Sequence, residues 1–326
     1  MDWKKFALIS QFGTFNSSQK EASMTTSKAT VKQQVSGFYR HQVGSLMVTA
    51  LYDGFINLSP SLFHGLGEEE KRDLINQKFQ RQTADGVPTA VTTYLIDDGA
   101  DLILLNTGGA KCVGSTMGGL LESMEAAGYS AEEVSAVLLT HLHFDHVCGL
   151  TGPEGRPVFA KATVYASEDE CRFWLDPQIA LGAPEASRPF FEMAAKAVAP
   201  YLDQGAFIRF QDGQEVRPGI KAMLTPGHTP GHSSFLVSSG SEQLLLWGDI
   251  VHSHALQFIH PQVSNDFDSD QNQAAATRRS LFKKIIEEGW LVGGDHLPFP
   301  GLGHLTESGQ SYGWVPIEFD RALQRG

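Results

Sequence analysis

The chain has 326 residues, 37 of them acidic and 25 basic, for a net charge of −12. That balance offers no basic face to a nucleic-acid backbone or an anionic membrane, and no apolar run reaches membrane-spanning length. The three cysteines, Cys112, Cys148 and Cys171, are too few and too widely spaced for a disulfide framework or a thiolate zinc knuckle, which favours a reducing compartment.

In chain order, the apolar run Phe6-Ala-Leu-Ile is too short for a secretory signal. Residues 1–36 read as a flexible, polar N-terminal arm, and residues 37–326 as one domain. Ser45–Tyr52 is a strand expected to end in a turn at Asp53-Gly54. Glu68–Arg81 has helical spacing and a charged surface. Thr89–Ile96 and Asp101–Leu105 form a hairpin around Asp97-Asp-Gly, with a strongly buried second strand that ends at Asn106-Thr-Gly-Gly. The spacing predicts a helix over Ser115–Ala127, then a buried strand from Val134 to Leu139. Ala162–Ala166 is a further strand, followed by helices at Glu168–Leu175 and Pro189–Leu202. Strands at Ile220–Leu224, Ser234–Val237 and Gln243–Trp247 precede a helix at Ala274–Glu288 and a last strand from Trp290. Strands outnumber helices and each half runs from strands to helix, which predicts two packed sheets with helices outside.

Residues 140–146, Thr-His-Leu-His-Phe-Asp-His, crowd four titratable groups at the end of a buried strand. Burying them is costly unless a common partner satisfies them all, and a metal ion does so. His141 and His143, two apart on extended backbone, point to one side; Asp145 and His146 follow after the chain turns. Downstream, Thr225-Pro-Gly-His228-Thr-Pro-Gly-His232 holds a histidine at a loop tip between Pro-Gly turns. Asp249 and His296 each follow an apolar strand. His304 competes with His296 for the last place, but only His296 directly follows a strand. Five histidines and two aspartates without thiolate suit two catalytic metal ions sharing a carboxylate: zinc first, with manganese, iron or cobalt as alternatives. His232 reads as a residue supporting the ligands, and His41, His64 and His260 as ordinary surface or core histidines. Cys148 reads as a packed thiol, and the acidic run Asp266-Phe-Asp-Ser-Asp as a solvated loop.

The HxHxDH element, TPGHTPGH, the aspartate in WGDIV and the late histidine together resemble the metallo-β-lactamase superfamily over roughly residues 37–320. The resemblance implies an α/β (α+β) class fold, an αββα sandwich of two mixed β-sheets flanked by helices. Asp249 stands where the best-known zinc β-lactamases carry cysteine, which argues against that activity. Within the superfamily, GFYR at Gly37, THLHFDHVCGL, GHTPGHSS, LWGDIVHSHALQF, the Asp266–Gln271 segment and HLPFPGLGHL are most similar to methyl parathion hydrolase and its lactonase and arylesterase relatives. By that similarity His141, His143 and His228 would bind one metal, Asp145, His146 and His296 the other, and Asp249 would bridge them. Asp145 or Asp249 would move the proton. Two departures stand out: Asn106 replaces a family aspartate, and His252 stands where a lactonase relative has tyrosine, at a position able to give a proton to the leaving group. Trp174, Phe190 and Phe191, with His252, fall where relatives build an aromatic substrate pocket; ordinary helix core is the other reading of the three aromatic residues, and it explains Trp174 equally well.

The resemblance implies a metal-dependent hydrolase of small apolar lactones or aryl esters, with organophosphate triesters as possible substrates. Water between two cations is acidified toward a pKa of about 7 and becomes the nucleophile. A glyoxalase II-like thioesterase and a dedicated organophosphate hydrolase are the alternatives; the first needs a basic patch for glutathione that the sequence does not display. A homodimer in the cytoplasm is expected, with the periplasm as the other compartment.

Overall fold

The computed structural model describes residues 34–112 and 114–320. The arm expected at 1–36 therefore lies outside the described residues, except for 34–36. The elements in chain order are β1 (Phe38–Val43), β2 (Leu46–Leu58), the two-residue β3 (Phe63–His64), α1 (Glu68–Gln77), β4 (Val87–Asp97), β5 (Leu102–Leu105), α2 (Leu120–Ala126), β6 (Val134–Leu138), α3 (Phe144–Val147), β7 (Thr163–Ser167) and α4 (Glu168–Trp174). They continue with α5 (Pro177–Gly182), α6 (Arg188–Asp203), β8 (Phe207–Phe210), β9 (Glu215–Arg217), β10 (Ile220–Leu224), β11 (Ser233–Ser239), β12 (Glu242–Leu246), the two-residue β13 (Ser264–Asn265), α7 (Gln271–Glu288), β14 (Leu291–Gly293), β15 (Leu302–Ser308) and β16 (Ser311–Pro316).

Two seven-stranded mixed sheets result, ordered β1-β2-β4-β5-β6-β7-β8 and β16-β15-β14-β12-β11-β10-β9. Strands β5 to β8 run parallel to one another, and β12 pairs parallel with β14. Ile103-Leu-Leu and Ala136-Val-Leu are apolar on both faces because parallel strands here are covered on both sides. One face, with Ile103, Leu105 and Leu138, meets Phe235, Leu244 and Leu246 of the other sheet. The opposite face packs Leu104 and Val137 under α2, α4 and α6. On the far side, Trp247, Phe282 and Ile285 seal α7 to the second sheet. Helix α7 is well bounded: the Asp270 side chain accepts from Gln273 N at 3.0 Å, and Gly289 ends it in left-handed conformation. The expected αββα sandwich is thus present.

Three local expectations need correction. Asp53-Gly54 is not a turn; β2 runs through it with a bulge. The Asp53 carboxylate is buried and accepts from Gly109 N, Gly118 N and Leu120 N at 2.9–3.2 Å. The helix expected over Ser115–Ala127 begins only at Leu120, because the preceding loop wraps around Asp53 and Gly118 sits at φ 96°. Cys148 is not a free packed thiol: it is disulfide-bonded to Cys112, leaving Cys171 as the buried free thiol.

Candidate active site

Every clustered ligand-type residue follows the C-terminal end of a strand: His141 and His143 after β6, His228 after β10, Asp249 after β12, and His296 after β14. The site therefore straddles the ends of both sheets. His143 is extended (φ −69°, ψ 155°) and caps α3, whose one turn brings Asp145 and His146 in from a second direction. Gly248 precedes Asp249 at φ 60°, and a Cβ there would lie 2.8 Å from His232 Nε2 and 3.0 Å from Thr140 Cβ. Only glycine lets the strand turn there.

The structure brings all seven predicted residues together in two overlapping groups: His141, His143, His228 and Asp249, and Asp145, His146, Asp249 and His296. In the first, His143 Nδ1 lies 3.0 Å from His141 Nε2 and 2.9 Å from His228 Nε2. Asp249 Oδ2 is 3.6 Å from His141 Nε2, 3.3 Å from His228 Nε2 and 3.2 Å from His296 Nε2, while its Oδ1 is 3.2 Å from His146 Nε2. Asp145 Oδ2 lies 3.4 Å from both His146 Nε2 and His296 Nε2. Asp249 is the one residue common to both groups.

These spacings fit cations. Donors about 2.0–2.1 Å from a tetrahedral zinc sit about 3.3–3.4 Å from one another, close to the separations here. His146 Nδ1 and Nε2 and Asp249 Oδ1 are buried without a hydrogen-bond partner, although His146 Nε2 and Asp249 Oδ1 are only 3.2 Å apart. Proximity without hydrogen-bond alignment is what two donors aimed at a third atom show. The outward nitrogens are tied down: His228 Nδ1 donates to Asp268 Oδ1 at 3.0 Å and His296 Nδ1 to Ala90 O at 2.9 Å. Each such bond leaves Nε2 with its lone pair facing inward. Burial opposes a charge on His228, yet Asp249 and Asp268 hold its pKa up at about 9, so a cation takes the Nε2 lone pair only by displacing a proton. Burial also opposes charging His296, but Asp249 and Asp145 hold it up at about 9. His141 and His143 fall well below the usual range through burial and the neighbouring imidazoles.

A supporting shell surrounds the groups. His232 donates from Nδ1 to Thr225 O at 3.1 Å and accepts from Asp249 N at 3.0 Å, so it holds the backbone of Asp249. His252 Nε2 lies 3.1 Å from Asp249 Oδ2. Phe267 N donates to Asn265 Oδ1, which turns the Asn265 amide nitrogen toward His252 Nδ1 at 3.3 Å. Nδ1 therefore accepts, and the His252 hydrogen sits on Nε2, donated to Asp249. Asn106, at φ 58°, donates from Nδ2 to Asp295 Oδ2 at 2.7 Å and accepts from Thr140 N. Asp295 in turn lies 3.4 Å from His146 Nδ1. A second carboxylate at position 106 would repel Asp295; the amide instead bonds to it, and a negative charge is kept beside His146.

Five carboxylates hold places that the sequence does not signal. The Asp266–Asp270 segment is not simply a solvated loop, since Asp268 is buried on His228 and Asp266 bonds to His64 at 2.6 Å. Asp295 carries no sequence signal beyond preceding His296, and Asp53, expected in a turn, is a buried acceptor within β2. Glu170 is fully buried and clasps both ligand loops: it accepts from Leu142 N at 2.9 Å, Thr229 Oγ1 at 2.7 Å and Gly231 N at 3.0 Å. The sequence signal for Glu170 is slight, an acidic residue three positions after the Ser167 cap of α4.

Above the clusters lies a small apolar pocket of about 30 Å3, lined by Trp174, Phe190, Phe267, Ile56 and Leu58 with His143, Asp249, His252 and His296. Trp174 is both core and wall: it is 2% exposed, and its ring meets His143 edge-on at 5.2 Å. Phe190 lines the pocket, but Phe191 does not. It packs behind Trp174 at 4.6 Å in the helical core, because it lies on the inner side of α6. His304 is exposed on β15, away from the clusters.

The sequence model of the metallo-beta-lactamase superfamily matches residues 86–296, the span that carries all seven clustered residues. The chain belongs to this superfamily. The superfamily hydrolase AbOPH is 38% identical, with a TM-score of 0.85 covering 88% of this chain and 100% of that one. AidC, a dizinc quorum-quenching lactonase solved with the product N-hexanoyl-L-homoserine, is 28% identical, with a TM-score of 0.80 covering 89% of this chain and 100% of its own. An N-acyl homoserine lactonase of Bacillus cereus is 26% identical over 123 residues, 38% of this chain and 40% of that protein. The chain thus spans about two fifths of the length of the first such curated relatives. Among the described residues no helix is long and apolar enough to cross a membrane.

Proposed function

We propose that the protein hydrolyses small apolar lactones or aryl esters at a binuclear metal centre, zinc being the first candidate. The observation that carries this reading is Asp249, whose carboxylate faces His141 and His228 of one group and the His146–His296 pair of the other. His141, His143 and His228 would hold one cation, Asp145, His146 and His296 the second, with Asp249 between them. When bound, the two cations supply an acidified water as nucleophile and positive charge against the developing oxyanion.

The chain's own residues do the rest. Trp174, Phe190, Phe267, Ile56 and Leu58 exclude water and orient an apolar acyl or aryl group. Asp145, exposed to the pocket and within 3.4 Å of His146 and His296, carries the proton toward the leaving oxygen. His252 has its Nε2 hydrogen committed to Asp249, so it positions that carboxylate and lines the pocket. Phosphotriesters of the methyl parathion type would meet the same nucleophile, and pocket shape ranks them against carbonyl substrates. Of the two compartments considered, the Cys112–Cys148 bond favours the oxidising one, the periplasm. A homodimer belongs to the same reading and is checked by light scattering.

The test is kcat/KM of the metal-reconstituted chain on an acyl-homoserine lactone, an aryl ester and methyl paraoxon. A preference for lactone or ester by about two orders of magnitude or more is expected, roughly 3 kcal/mol of discrimination. A dominant paraoxon rate would assign the pocket to phosphorus instead.

A further inference from the structure

The apolar pocket above the clusters holds about 30 Å3, room for only about two or three waters. A second cleft of about 620 Å3 approaches the same centre from another side, and His252 and His296 line both. Its chemistry differs from the rest of the molecule. The whole chain carries 37 acidic residues and a charge of −12, yet among the described residues no aspartate or glutamate lines this cleft. Among the described residues that line it, the permanently charged ones are the cations Lys78 and Arg81. Beside them stand aromatic surfaces: Phe79, 95% exposed and held at φ 53°, together with Tyr52 and Phe299, which meet edge-on at 5.6 Å. Left-handed backbone at a bulky aromatic residue is strained, and such strain concentrates at functional sites.

We propose that this second cleft is a binding site for an aliphatic carboxylate, the anion released by the hydrolysis proposed above. Lys78 and Arg81 take the carboxylate, and the aromatic surface takes its chain. The inference rests on that hydrolytic reading for its biological meaning, because ester or lactone opening turns a neutral molecule into an anion. The apolar pocket repels that charge, while the cleft next to it draws the charge out. Cations without competing carboxylates give the field its sign even under a net-negative protein.

The experiment uses the full-length, metal-loaded chain, sodium hexanoate as probe and a neutral aryl ester as substrate. In the Lys78→Glu/Arg81→Glu variant the inhibition constant of hexanoate is expected to rise about ten-fold, while kcat/KM for the neutral ester stays within about two-fold. Hexanol, with the same chain and no charge, should inhibit both proteins equally. The Lys78→Gln/Arg81→Gln variant gives a smaller shift in the same direction and serves if the charge reversal does not fold. An unchanged hexanoate constant overturns the site, because the anion would then bind at the metal clusters alone. If no ester or lactone is turned over, calorimetry with hexanoate on the same proteins separates the two ideas. Binding that is lost in the variant keeps the cleft and sinks the hydrolytic reading; equal binding sinks the cleft.

Discussion

Imidazoles and carboxylates are rarely packed together at the ends of apolar strands without a shared partner, and seven of them meet here. His141, His143, Asp145, His146, His228, Asp249 and His296 converge as their spacing implied. The residues that aim them were not legible, because each acts across a long sequence separation. Asp268 reaches back 40 residues to His228, and Glu170 joins loops 28 residues before it and 59–61 after it. Asp268→Asn should therefore weaken metal binding about 10–100-fold, read by competition with a chelating dye. Glu170→Gln keeps the volume but only one of the two acceptor oxygens, so at least one of the three donors loses its partner and meets an NH2 instead. It should cost about 1–3 kcal/mol in thermal unfolding for the donors left unsatisfied, and unchanged stability would refute the clasp.

Elements were read best where burial is two-sided or a cap is present, as in β5, β6 and α7, and worst where a distant group overrides local preference. The loop before α2 shows the second case: Asp53 collects its N–H groups, and a helical pattern at 115–119 yields to them. The same loop carries Cys112, whose bond to Cys148 no spacing rule announces. The bond closes a separation of 36 residues, and its loss by Cys112→Ser should cost up to about 4 kcal/mol, seen as a lower Tm. Burial pushes the Cys171 thiol up to about 12. Its folded value is raised, so its contribution to stability is present below the ordinary thiol range and is lost as pH rises toward 12. Thiol titration at pH about 8 should find none in the native chain, one after unfolding and three after unfolding with reductant. A reactive thiol in the native state, or three before reduction, would contradict the pairing.

At the scale of the molecule, two sheets close on each other with their strand ends side by side, and the site sits where those ends meet. The strand-rich pattern was enough to anticipate the two layers. The edge strands β1, β8, β9 and β16, and β15 beside β16, are short or half-exposed and lack a continuous apolar run, so no sequence pattern marks them. The fold offers two approaches to one centre, a tight apolar pocket and a wide cationic cleft. The measurement that tests the account most directly is the lactone or aryl-ester hydrolysis rate followed as chelated protein is titrated with zinc, alongside Asp249→Ala. The account predicts no activity without metal, a rise that levels off at two zinc ions per chain, and a loss of at least about a thousand-fold in the variant. Full activity in the chelated chain, or an unimpaired Asp249→Ala protein, would contradict it.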